Sequence, residues 1–166
     1  LGDVYKRQGT PVQQKLDYVY RNGRKLLHIV NQLLDFRKAE AGAMPLHVTQ
    51  VNVEELLQDA FALFKENAQK RTISFHIKSD LEGRLFPADK TYVETILMNL
   101  LSNAFKFTPD GGSISLSLWT EGDTYGFTVR DSGIGMSPEQ LTRIFERFYQ
   151  VDGQRKGTGI GLSLVK

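Results

Sequence analysis

The chain has 166 residues, 40% hydrophobic and 24% charged, a composition that fits one globular domain plus an appendage and does not make disorder the default. Its 21 basic and 19 acidic side chains nearly balance; a nucleic-acid surface would need local clustering, and no long basic run supplies it. With no cysteine there is neither a disulfide framework nor a thiolate metal site, and no apolar run approaches the roughly 18 residues that span a bilayer.

Leu1 to Gln8, LGDVYKRQ, carries no helical or strand period, and residues 1–11 read as a non-native or linker segment. From Leu16 the apolar positions run Leu16, Val19, Gly23, Leu26, Val30 and Leu33, spaced 3, 4, 3, 4 and 3, with Tyr20, Leu27 and Leu34 in support. That is a seam of period 3.5 on one long helix, about 30 Å from end to end at 1.5 Å per residue. Such a stripe needs partner helices to cover it. Gly42 and Pro45 stop the helix, so residues 12–44 form one unit and residues 46–166 a second.

In the second unit LHVTQV alternates like a short strand, and NVEELLQDAFALFKENAQKR follows as a helix. Asn52 is its N-cap with Glu55 at the third helical position, and Leu56, Ala60, Leu63 and Phe64 form the apolar face. TISFHIK reads as a strand and Leu85 to Ala88 as a shorter one. The next helix spans about Lys90 to Phe107, buries Val93, Leu97, Leu100 and Ala104, and ends at Thr108-Pro109-Asp110-Gly111-Gly112. SISLSLW and TYGFTVR make a hairpin around a Gly-Asp turn. A short helix, SPEQLTRIFERFYQ, starts with Ser137 as cap and Pro138 at the first position. The closing GTGIGLSLVK stops where a helix begins, as in a C-terminally truncated domain. A helix followed by mixed elements with an antiparallel hairpin makes the chain α+β.

Three stretches carry chemistry. On the Lys90 helix, Asn99, Asn103 and Lys106 share one face. Carboxamide oxygens suit Mg²⁺, which keeps most of its waters and shares its shell with substrate phosphates, while a lysine supplies a point charge; the plainer alternative is a solvated face. DSGIGM, from Asp131, is either a simple turn or an adenine site in which the carboxylate accepts from the amino group and repels a guanine carbonyl. GTGIGL, Gly157 to Leu162, would let backbone N–H groups approach a phosphate. It matches neither G-x-G-x-x-G, since Leu162 stands at the third glycine, nor Walker A.

In this order the stretches resemble the catalytic core of sensor histidine kinases, in the ATPase group that includes gyrase and MutL. NLLSNAFKFTP is similar to the N box, DSGIG to the G1 box, IFERFYQ to the F box and GTGIGLSLVK to the G2 box. VNQLLDFRKAEAG resembles the end of the second helix of the dimerisation and phosphoacceptor hairpin, particularly that of hybrid two-component sensors. The resemblance, over residues 12–166, implies a two-layer α/β sandwich, a mixed sheet covered by helices, preceded by one helix of a bundle. It implies ATP and Mg²⁺ as cofactors. Asn99 and Asn103 would serve the Mg²⁺-phosphate end and Lys106 its charge. Asp131 would hold the adenine amino group, with Gly133 and Gly135 admitting the base. Gly157, Thr158, Gly159, Gly161 and Leu162 would form the phosphate side of a lid from about Met136 to Lys156. Phe145 and Phe148 match the F box, although packing alone would also explain them, and either Arg147 or Arg155 would reach the phosphates.

The implied partners are a response-regulator receiver domain and a second copy through the helical hairpin, with no nucleic acid. The implied place is the cytoplasm, with the full-length protein anchored in the inner membrane by other segments. The phosphoacceptor motif His-Glu-Leu/Ile-Arg-Thr-Pro is missing: His28, His47 and His76 are followed by Ile29, Val48 and Ile77, and all three read as structural or surface residues. A gyrase-like or MutL-like ATPase would carry a glutamate four residues before the metal asparagine. Here that position is Thr95, and Glu94 lies about 140° around the helix from Asn99. Transfer to a histidine therefore fits better than hydrolysis, with an ATP-binding scaffold without catalysis as the other alternative.

Overall fold

The computed structural model describes residues 12–13, 15–16, 18–20, 22–23, 26–27, 30, 34, 37, 45–79, 81, 83–122, 124–151 and 159–165. The chain divides into two units, Leu1–Met44 and Pro45–Lys166. In the first, every described residue is helical. The seam residues among them, Leu16, Val19, Tyr20, Leu26, Leu27, Val30 and Leu34, are all exposed; His28 and Leu33 lie outside the described residues. Among the described residues no helix is long and apolar enough to cross a membrane.

The second unit opens with strand β1 (Thr49–Asn52) and helix α1 (Val53–Lys70). Asn52 caps α1 as its spacing predicts: its oxygen accepts from the Glu55 N–H at 3.3 Å and its amide donates to the Glu55 carboxylate at 2.8 Å. The buried stripe of α1 is Val53, Leu56, Leu57, Ala60 and Ala68. Leu63, expected inside, is 69% exposed. Packing turns the helix so that Leu57 is fully covered and Leu63 falls on the flank. Strands β2 (Ser74–Lys78) and β3 (Leu85–Ala88) come next, then helix α2 (Lys90–Phe107). In α2 the core positions are Leu97, Leu101, Ala104 and Phe105; Leu100 and Val93, both expected there, are only half buried. Phe105 explains the shift, because its ring stacks on Phe64 of α1 at 4.8 Å and meets the edge of Phe75 of β2 at 5.1 Å.

Strands β4 (Ser113–Glu121) and β5 (Thr124–Asp131) form the predicted hairpin. β4 pairs parallel with β2 and antiparallel with β5, while β1 and β3 pair antiparallel in a second, two-stranded sheet. The period-2 pattern of β4 sends Ile114, Leu116 and Leu118 into the core. Tyr125 bridges the two sheets: its hydroxyl donates to the Pro87 carbonyl and its ring stacks on Phe86 at 4.3 Å. On the hairpin, Trp119 lies against Gly126, where a Cβ would come within 2.6 Å of the indole, and its Nε1 donates to Thr128 Oγ1 at 3.1 Å. The result is an α+β arrangement of mixed strand pairing with packed helices.

Both ends of α2 are fastened by side chains. At its start Asp89 is the N-cap, accepting from the N–H groups of Thr91 at 3.0 Å and Tyr92 at 3.3 Å. The other carboxylate oxygen of Asp89 accepts from the His47 N–H at 2.8 Å. At its end the Arg71 guanidinium donates to the carbonyl of Phe105, to the carbonyl of Thr108 at 2.7 Å and to Asp110 Oδ1 at 2.7 Å. These carbonyls belong to the last turn of α2, where no further helical N–H is available. The Arg71 carbonyl in turn accepts from the Gly111 N–H at 3.0 Å.

Arg71→Ala is expected to lower the unfolding free energy by about 1–3 kcal/mol, since it strands partly buried carbonyls. Asp110→Ala should cost less than about 1 kcal/mol, because that carboxylate is 74% exposed. Urea denaturation compares them, and equal losses would mean that the carbonyls do not need the guanidinium. The His47 N–H, followed by those of Tyr92 and Thr91, holds the Asp89 carboxyl below its ordinary value against an opposing desolvation. Its folded pKa is therefore the lower one, and the stability it contributes is full above the unfolded value of about 3.9 and lost as pH falls through the folded value. The difference in urea midpoint between wild type and Asp89→Ala should hold constant from pH 7 to about 5 and shrink below about pH 4. A difference that grows on acidification would contradict this cap.

Candidate functional site

Helix α2 is the foundation of the site. Asn99 and Asn103, one turn apart, are half buried, and Lys106 is exposed with its Nζ 4.6 Å from the Phe107 ring centroid. The Asn99 amide donates to the Thr95 carbonyl at 3.0 Å, and Thr95 Oγ1 to the Thr91 carbonyl at 2.8 Å. Glu94 faces back along the helix to Lys90, 3.8 Å away, which leaves it away from the Asn99 face. No hydrogen bond of the Asn103 carboxamide is found among the described residues.

Asp131 ends β5, opposite Ile114. Its Oδ1 accepts from the Gly133 N–H at 2.8 Å, closing a tight side-chain turn. Ser132 fixes the same corner: its N–H donates to the Ser113 carbonyl at 3.0 Å and its Oγ accepts from the Ser113 N–H at 2.8 Å. Gly133 is pressed against the end of α2, since a Cβ there would stand 2.9 Å from the Phe107 carbonyl oxygen and 2.6 Å from Asp131 Oδ1. No side chain fits without displacing backbone. Asp131 is exposed, and its second carboxylate oxygen is left outside this turn.

Of the glycine-rich C-terminal stretch, Gly157 and Thr158 lie outside the described residues, as does Arg155. Gly161 begins helix α3 (Gly161–Val165) after buried Ile160, with Leu162 half buried. A Cβ on Gly161 would lie 2.8 Å from Asn99 Oδ1. Gly159 and Phe148 meet backbone to backbone: the Phe148 N–H donates to the Gly159 carbonyl at 2.9 Å, and both have positive φ, 58° and 69° for Phe148 and Gly159.

The F-box segment departs from expectation. Only Pro138–Leu141 is helical, and turns replace the rest of the predicted helix up to Phe148. Ser137 does cap it, with Gln140 N donating to Ser137 Oγ at 3.3 Å and Ser137 N to Gln140 Oε1 at 2.7 Å. The Ser137 hydroxyl also donates to Glu139 and holds that carboxyl below its usual value. Beyond it, Arg143 pairs with Glu146 at 2.9 Å and lies over the Tyr149 ring. Phe145 and Phe148 are 42% and 63% exposed, so core packing does not account for them here.

The structure therefore brings Asn99, Asn103, Lys106, Asp131, Gly133 and Gly161 to one helix, with Gly135 in the adjoining loop at φ 65°. Among the described residues no group of three or more His, Cys, Asp or Glu side chains could hold a metal ion. The donors at the site are neutral amides, a set that suits Mg²⁺ only when phosphate oxygens complete the shell. Sequence reading missed Asp89 and Arg71, which hold α2 in place. An aspartate directly before a helical run was a legible cap signal, whereas nothing local marks a guanidinium that reaches carbonyls 34 and 37 residues away.

Residues 88–166 match the family described as histidine kinase-, DNA gyrase B- and HSP90-like ATPases. The chain is 33% identical to histidine kinase P4 of Formosa agariphila over 162 residues, 93% of this chain and 12% of that protein. A crystal structure of full-length ShkA in complex with AMPPNP superimposes with a TM-score of 0.81 at 31% identity, covering 92% of this chain and 32% of that one. The catalytic domain of histidine kinase ThkA superimposes with a TM-score of 0.65, also at 31% identity, over 71% of this chain and 76% of that domain. The chain thus spans about an eighth of the length of P4 and most of an isolated kinase catalytic domain.

Proposed function

This chain belongs to the histidine kinase-, DNA gyrase B- and HSP90-like ATPase family, and we propose that it serves as the ATP-binding catalytic core of a two-component sensor histidine kinase. The observation that carries this reading is the double close approach to α2: Gly133 against Phe107 and Gly161 against Asn99. These contacts lie eight residues apart, about 12 Å along the helix axis. Between them stand Asn103 and Lys106. A purine at the Asp131 end and a triphosphate at the Gly161 end would then lie along one rigid element.

In this reading Asp131 accepts from the adenine amino group, and Gly133 and Gly135 leave room for the base. Gly157, Thr158, Gly159, Gly161 and Leu162 border the phosphates, with Phe148 at the base of the lid. Lys106 places a positive charge by the phosphates, and Asn99 and Asn103 serve the Mg²⁺ end. The cation, when bound with ATP, would neutralise charge on the phosphate oxygens. The γ-phosphoryl group passes to a histidine nitrogen on another segment, with ADP leaving. Hydrolysis is disfavoured because Thr95 occupies the position of the ATPase glutamate and Glu94 is turned to Lys90. For the whole protein we propose pairing with a second copy through the exposed seam of residues 16–34, relay to a response-regulator receiver domain, and a cytoplasmic site beside an inner-membrane anchor supplied by other segments.

The chain is expected to bind ATP with Mg²⁺ and to discriminate against GTP. Asp131→Asn, which turns an acceptor partly into a donor, should weaken ATP by about 1–3 kcal/mol. Equal ATP affinity of mutant and wild type in calorimetry removes Asp131 from the adenine site. Incubated with γ-labelled ATP, the chain itself should gain no acid-labile phosphate, because none of its three histidines has an acidic neighbour and transfer needs a nucleophile within about 3–3.5 Å and in line. Label should appear on an added helical hairpin that carries a His-Glu motif. ATP binding without such labelling would favour the scaffold reading, and phosphate on His28, His47 or His76 would overturn the assignment of acceptor.

A further inference from the structure

The two asparagines of α2 occupy equivalent turns but different surroundings. The Asn99 amide nitrogen is committed to the Thr95 carbonyl at 3.0 Å, which fixes the plane of the carboxamide. Its oxygen then faces Gly161, where a Cβ would lie 2.8 Å from Oδ1 and 3.5 Å from Cγ. The Gly161 end of α3 is itself well fastened: Ile160 is buried, and its carbonyl accepts from Ser163 Oγ at 2.7 Å and from the Leu164 N–H at 3.2 Å. A wound turn seated on a fixed amide is a defined joint. To ligate a cation, the Asn99 oxygen would have to leave this seat and its amide would have to leave Thr95. Asn103 has no such commitment among the described residues.

We propose that Asn99 is a positioning residue, a seat for Gly161 that sets the start of α3 against α2, a task distinct from that of Asn103. This inference rests on the nucleotide-site reading above and divides the work of the asparagine pair. Asn99 acts through the backbone it holds. Gly161 is glycine because the carboxamide takes the space of a side chain, and a Cβ there would require the amide to leave its seat. In Asn99→Ala the remaining Cβ would stand 3.9 Å from that of an alanine at 161, an ordinary van der Waals contact.

The test is calorimetric titration of the whole chain with ATP, in Mg²⁺ and in EDTA, for wild type, Asn99→Ala, Gly161→Ala, the double variant and Asn103→Ala. Gly161→Ala should weaken ATP about tenfold, because overpacking forces the joint apart. In the Asn99→Ala background the same change should cost no more than about twofold, the signature of direct coupling. Asn99→Ala should keep the wild-type ratio of affinities with and without Mg²⁺, whereas Asn103→Ala should lose most of it. Failure of the wild-type chain to bind ATP would sink the nucleotide-site reading itself. Wild-type binding with equal Gly161→Ala losses in both backgrounds overturns the seat alone, as does an Asn99→Ala variant that loses its Mg²⁺ dependence. Should Gly161→Ala not fold, melting of the double variant decides: recovery of a cooperative transition supports the seat, and no recovery overturns it.

Discussion

The guanidinium of Arg71 joins the end of one helix to the end of another. It donates to the carbonyls of Phe105 and Thr108 and to Asp110, so the final turn of α2 is satisfied by α1 rather than by water. The rest of the site follows from that fastening. The turn after α2 returns to Arg71 through Gly111, β2 is joined to the same turn where Ser74 N donates to the Gly112 carbonyl at 2.9 Å, and the start of β4 is tied to Ser132, next to Asp131. The ion pair with exposed Asp110 is the weaker part of this arrangement, and satisfaction of partly buried carbonyls is the stronger. With Asp89 holding the opposite end, α2 is a strut fixed at both ends.

A strut of this kind explains why amides suit the site. In the proposed nucleotide site a carboxylate at position 103 would bring a further negative charge to an already anionic triphosphate, a repulsion that grows at short range. An amide oxygen offers a lone pair to a cation without it. Lys106 is exposed, with its Nζ 4.6 Å from the Phe107 ring centroid, a cation–π contact that holds the ammonium at the end of this face.

Much of this was legible along the chain. The bounds of α2, the cap at Asn52 and the β4–β5 hairpin follow from local signals, and glycines at 133 and 161 were visible as places where backbone approaches something closely. What they approach was not visible. Helical spacing places Asn99 and Asn103 on one face and cannot tell that one amide is engaged by Thr95 and Gly161. The same spacing ranks Leu100 with Leu97, yet the stacking of Phe105 on Phe64 turns Leu101 inward instead. Leu63 was misplaced for the same reason, since a helix packed on two surfaces buries the side that its neighbours choose. The turn after Pro138 was overextended because a good start signal carries no information about where packing support ends.

The lone tryptophan is set in the hairpin, paired across to Gly126 and hydrogen-bonded to Thr128. Along β4 it stands five residues from Ile114, the partner of Asp131, about 17 Å at the rise of a strand. Intrinsic indole emission from this chain is therefore a gauge of the hairpin and not of the purine end. A spectroscopist following it would watch the sheet come apart under denaturant, with a probe set well away from the corner that Asp131 occupies.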